Sequence, residues 1–120
     1  MKTFFKLGSE CLEIEFDPHE ICAQYNKLIR SLVACERTKN AKDYGRLTVE
    51  LMQLIMGDET ALKVMQFYEG NTEKLINDMV IFFGWRIAPI MRNASKENLK
   101  SMLGWWKRDA HRKTGDSRNG

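Results

Sequence analysis

The chain has 120 residues, of which 43% are apolar and 29% charged, with a net charge of +3. That length and balance predict one domain with a modest core and exclude general disorder. No stretch approaches the roughly 20 apolar residues of a membrane span, and the opening Met1-Lys2-Thr3-Phe4-Phe5-Lys6 meets charge too soon for a secretory signal.

The first element reads as a hairpin. Phe5 and Leu7 alternate with Lys6, Leu12, Ile14 and Phe16 alternate with Glu13 and Glu15, and Gly8-Ser9-Glu10 supplies the turn. A lone hairpin is marginal, so its apolar face must cover helices. Asp17-Pro18-His19-Glu20 then opens a helix, with Asp17 as cap and Pro18 at the first helical position. Ile21, Tyr25, Leu28, Leu32 and Cys35 give it an apolar stripe that fades in Glu36-Arg37-Thr38-Lys39-Asn40.

A second helix starts near Asn40, with Tyr44, Leu47, Leu51, Leu54 and Ile55 inward and Gly57 as a left-handed cap. Asp58 is read as the cap of a short third helix carrying Ala61, Leu62, Val64, Met65 and Phe67-Tyr68. Gly70 closes that helix in a left-handed conformation, and Asn71 or Thr72 opens the fourth. Leu75, Ile76, Met79, Val80, Phe82, Phe83 and Ile87 make the fourth the most apolar, and Pro89 must kink or end it. A fifth helix is expected after Ser95, with Glu97 in its first turn and Leu99, Met102, Leu103 and Trp106 inward. The fold predicted is mainly α: about five helices in one compact domain, residues 1–113, behind a short N-terminal hairpin at 1–16, with a flexible tail at 114–120.

Little in the sequence suggests catalysis. His19 and His111 have no Cys or carboxylate neighbours at metal-ligand spacing, the glycines stand singly, and no serine sits in a nucleophile motif. Glu13 and Glu15 share one face of a strand, where a solvated hairpin face is the commoner role. No catalytic, cofactor-binding or metal-binding residue is expected. Cys11, Cys22 and Cys35 are an odd set without metal spacing, read as reduced, partly buried thiols of an intracellular protein.

Two features point to binding. Residues 61–120 carry 11 Lys or Arg against 6 Asp or Glu, and the excess gathers at Trp105-Trp106-Lys107-Arg108 and His111-Arg112-Lys113. Aromatics mixed with cations suit a nucleic-acid-binding regulator, but the pI near 8.8 is modest and Asp109 and Asp116 interrupt the run, so that function ranks second. The aromatics Phe67, Tyr68, Phe82, Phe83, Trp85, Trp105 and Trp106 also crowd the C-terminal half. A small domain cannot bury all of them, and exposed aromatics suit a protein interface. Tyr68, Trp85, Phe82 and Trp105 are the candidate partner-binding residues, with Phe67 packed inward.

The stretch Met56-Gly57-Asp58-Glu59-Thr60-Ala61-Leu62-Lys63-Val64-Met65-Gln66-Phe67-Tyr68-Glu69-Gly70-Asn71 resembles a segment of the tail assembly chaperones of long-tailed bacteriophages and prophages of Gram-positive hosts. The order of elements is also similar: a hairpin ending in Phe16-Asp17-Pro18, then apolar helices on either side of the segment. The resemblance covers roughly residues 3 to 93; Phe82-Phe83-Gly84-Trp85-Arg86 and the Trp-rich basic end depart from it. It implies a non-enzymatic protein of the host bacterial cytoplasm, absent from the mature virion. Such a protein coats the tape-measure protein, keeps it soluble and recruits tail-tube subunits. Self-association is implied as well, with no membrane partner and no cofactor.

Overall fold

A computed structural model of the protein describes the backbone of residues 1–119 and the side chains of residues 1–101, 103 and 104. The chain opens with two antiparallel strands, β1 (Lys2–Leu7) and β2 (Glu10–Glu15), joined by the two-residue turn Gly8-Ser9. Glu10, expected in the turn, is already the first residue of β2. Gly8 has φ +62°, the positive value that glycine supplies at the first position of such a turn. The register pairs Leu7 with Glu10, Phe5 with Leu12 and Thr3 with Ile14. It buries Thr3, Phe5, Leu7, Leu12 and Ile14 on one face and leaves Lys2, Phe4, Lys6, Glu13 and Glu15 on the other.

Helix α1 (Pro18–Thr38) begins as its sequence predicts. The Asp17 carboxylate accepts from the backbone N–H groups of His19 and Glu20, and Pro18 stands where no N–H is needed. Lys39, with φ 55°, closes it. Helix α2 (Ala41–Met56) is capped by Asn40, whose side chain accepts from the Asp43 N–H. Gly57 ends α2 with φ 84° but ψ 161°, an extended backbone rather than the left-handed helical turn expected. The same residue precedes α3 (Asp58–Phe67), so Asp58 is the first residue of that helix and not its cap, and no side chain caps it. Gly70 takes φ 82°, as predicted, and Asn71 caps the next helix by accepting from the Lys74 N–H.

From Thr72 the chain stays helical: α4 (Thr72–Phe82), a π-helical turn (Phe83–Ile87) and α5 (Ala88–Asn119) follow without a break. The described backbone therefore has four continuous helical stretches where five helices were expected. Pro89 does not end the fourth. In an α-helix its ring would crowd the Trp85 carbonyl and leave that acceptor without an N–H. The wider turn just before it, in which the Ala88 N–H bonds the Phe83 carbonyl five residues back, absorbs the conflict.

Leu51, Met52, Ile55, Val64, Met79, Ile87 and Met91 form the centre of the core, with α2 packed between α1, α3 and α4 and the hairpin lying on α2. The start of α5 docks on α1. Cys22 Sγ lies 3.1 Å from Ser95 Oγ, Asn26 Nδ2 donates to the same oxygen at 3.4 Å, and His19 Nε2 lies 2.8 Å from Glu97 Oε2. Ser95 and Glu97, expected at the start of a separate fifth helix, thus lie inside a longer one and hold it to α1. Beyond them the packing gives out. Leu99 and Leu103, expected inward, are both exposed. The expected roles of Met102, Trp105, Trp106 and His111 concern side chains outside the described residues; the backbone of 114–119, expected as a flexible tail, belongs to α5.

Candidate functional site

Three exposed large apolar side chains, Val80, Ile81 and Trp85, stand together on α4 and the π turn. Leu75, Met79, Phe82, Phe83 and Ile87 take the inward positions. The outward positions of the same turns go to Val80, Ile81, Gly84 and Trp85. A helix with apolar residues on both sides presents an unpartnered stripe. Trp85 is its most prominent member at 79% exposed, followed by Ile81 at 58%.

The stripe separates two grooves. One, of about 400 Å³, runs between β1 and α4 and is lined by Phe4, Lys6, Tyr68, Ile81, Trp85 and Arg86. The other, of about 230 Å³, runs between α1, α2 and the π turn and is lined by Ile29, Val33, Tyr44, Val80, Phe83 and Ala88. Both floors are mainly apolar. The polar part of the first is cationic, since Lys6 and Arg86 form no ion pair among the described residues. Its one carboxylate, Asp78, accepts a 2.6 Å hydrogen bond from the Tyr68 hydroxyl. Burial, then that bond and the Asp78 charge, push the Tyr68 pKa up to about 12.

Of the four candidate partner-binding residues, Trp85 stands on this surface. Tyr68 and Phe82 are buried and reach it only in the floor of the first groove. Tyr68 is 9% exposed, held inward by Asp78, while Phe67, expected inward, is 55% exposed and lies over the hairpin turn. A Cβ on Gly8 would come within 3.1 Å of the Phe67 ring. Phe82 is 5% exposed, with its ring centroid 5.1 Å from that of Phe5 in an edge-to-face contact. Trp105 falls outside the described side chains.

Phe4 and Ile81 are the surface residues that the sequence analysis missed. Phe4 had a signal: it lies between Thr3 and Phe5, so period-two alternation sends it to the face opposite Phe5. Ile81 had only a weak one, the crowding of apolar residues beyond a single stripe.

The remaining polar groups form no second centre. Cys11 is exposed on the outer face of the hairpin and not partly buried as expected, Cys22 is buried, and Cys35 is half-buried. Among the described residues, no group of three or more His, Cys, Asp or Glu is placed to hold a metal ion. None of the described helical segments is long and apolar enough to cross a membrane. Compared with family models, with curated proteins and with solved structures, the chain gives no significant match to any of the three.

Proposed function

We propose that this protein works by binding another protein and catalyses no reaction; specifically, that it is a tail assembly chaperone of a long-tailed phage or prophage. In this role it binds the tape-measure protein in the host cytoplasm, keeps it soluble and recruits tail-tube subunits. The observation that carries the binding role is Trp85, an aromatic 79% exposed on a helix face with Ile81 beside it and an apolar groove on either side. Exposed aromatics next to apolar grooves supply the large, rigid contact area that dominates interface energies. The chaperone role rests on the resemblance of Met56 to Asn71 and on the order of elements around it. A chaperone for a long helical client needs apolar grooves and self-association, not catalytic groups.

Co-expression with the tape-measure protein tests the proposal. The wild-type chain should hold the client in the soluble fraction and co-purify with it. A Trp85→Ala/Ile81→Ser variant with an unchanged far-ultraviolet circular dichroism spectrum should lose both properties. Equal client solubility with this variant contradicts the role of the surface. Sub-micromolar binding of duplex DNA by the wild type, falling steeply with salt, favours the nucleic-acid function instead.

A further inference from the structure

We propose that the free edge of β1 accepts an added strand: an extended segment of a partner protein in which acidic and apolar residues alternate. This rests on the protein-binding function above and names the chemistry of the segment bound.

The hairpin geometry fixes which backbone groups are free. In a two-residue hairpin the residues flanking the turn form a hydrogen-bonded pair, and such pairs recur at every second residue. With Leu7 opposite Glu10, the bonded pairs are Leu7–Glu10, Phe5–Leu12 and Thr3–Ile14. The 3.0 Å bond from the Phe16 N–H to the Met1 carbonyl continues the same series. Lys2, Phe4 and Lys6 therefore turn their N–H and C=O groups away from β2. The sheet has only two strands, so this edge has no ladder partner. Both faces of β1, at Phe4, Phe5 and Lys6, border the groove of about 400 Å³ that separates the edge from α4.

The surroundings define the pattern of the added strand. Its side chains must alternate between the two faces of the sheet. Those on the inner face meet Ile81, Phe82 and Trp85, which favours apolar residues. Those on the outer face lie beside Lys2, Phe4 and Lys6, with Arg86 also bordering the groove, which favours carboxylates. Neither Lys6 nor Arg86 has an ion-pair partner among the described residues, and Asp78 is already engaged by Tyr68. The chain holds one strand of the required pattern: β2, whose Leu12 and Ile14 face the core while Glu13 and Glu15 stand opposite Phe4 and Lys2. So β1 already pairs an alternating acidic–apolar strand on its inner edge, where Lys2 is bridged to Glu13 at 3.2 Å, and its outer edge offers a second such strand Lys6 and, across the groove, Arg86, neither of them in an ion pair among the described residues. A second copy of this chain is the poorer occupant. The free edge of its β2 runs beside α3, with Glu10 bound to Lys63 at 2.6 Å and Glu59, Leu62 and Gln66 lining the same channel.

The probe is a synthetic peptide copying residues 10–16 with Cys11→Ser, titrated into the isotope-labelled full chain. Hydrogen exchange at the Lys2, Phe4 and Lys6 amides should slow with bound peptide, while exchange at Cys11, Glu13 and Glu15 stays unchanged. Replacing the peptide's glutamates by lysine should weaken binding by about tenfold or more, a loss that corresponds to a single interfacial bond. Phe4→Pro removes one outward donor without breaking a ladder bond, which an edge strand tolerates. It should weaken peptide binding beyond the loss caused by Phe4→Ala, which keeps that donor. Unchanged exchange at the three amides, equal binding of the lysine peptide, or equal binding by the Pro and Ala variants overturns the proposal. So does a dimer of the chain alone that the peptide dissociates, because the edge then belongs to a second copy. If Phe4→Pro keeps the co-expressed client soluble while Trp85→Ala/Ile81→Ser does not, the edge proposal fails and the protein-binding function stands.

Discussion

Adjacent helical residues point about 100° apart, and of Phe67 and Tyr68 apolarity alone favours Phe67 for the inward position. The structure sends Tyr68 inward because Asp78, ten residues on, accepts its hydroxyl proton at 2.6 Å. That partner lies on another helix and leaves no local mark in the sequence. The bond has a titration signature. A pKa of about 12 in the folded state lies above the usual value near 10, so protonated Tyr68 contributes its full stability below about pH 10. The contribution is then lost as pH rises through about 12. Burial also raises Tyr25 and Tyr44. Ultraviolet titration of the native protein should therefore show all three tyrosines ionising above 10, with the last phase near 12 absent from Tyr68→Phe. A single native transition at 10 would contradict the geometry. Phe82 is buried and Trp85 exposed, so the two separate core from surface. Phe82→Ala should cost about 3–5 kcal/mol, and Trp85→Ala should stay within about 0.5 kcal/mol, as read by urea denaturation.

The elements whose signals are local follow the sequence closely. The hairpin alternates with period two, Asp17-Pro18 and Asn40 open α1 and α2, and Asn71 caps α4. Gly70 belongs with them. A Cβ there would meet nothing within 4 Å, so its φ of 82° is the whole constraint. Gly70→Val should accordingly cost on the order of 1–2 kcal/mol, measured as a lower urea midpoint with an unchanged slope. No loss of stability would mean that the turn after α3 adopts another conformation. The elements that depart from the sequence depend on tertiary context. Pro89 is a helix breaker by local rules, but the π turn before it keeps the helix going. Leu99 and Leu103 have inward spacing, but inward requires a neighbour to pack against, and both are exposed. The candidate site was legible to the same degree. Trp85 followed from crowding of aromatics, while Phe4 and Ile81 depend on how the hairpin and α4 lie side by side.

At the scale of the whole molecule, the helices bury one face of α4 completely and leave the other without a partner. Met79 and Ile87 are fully buried, while Val80, Ile81 and Trp85 of the same turns face outward. A chain of this size gains stability by covering such a stripe, and under the proposed function another protein covers it. Site-specific photo-crosslinking tests that most directly. A photoreactive phenylalanine analogue is placed at position 85, and in separate samples at exposed positions 62, 99 and 103. Each variant is co-expressed with the tape-measure protein and irradiated. The account predicts a crosslink to the client from position 85 at a yield well above the other three. Equal yields from all four positions, or a client crosslink from position 62 or 99 with none from 85, would contradict it.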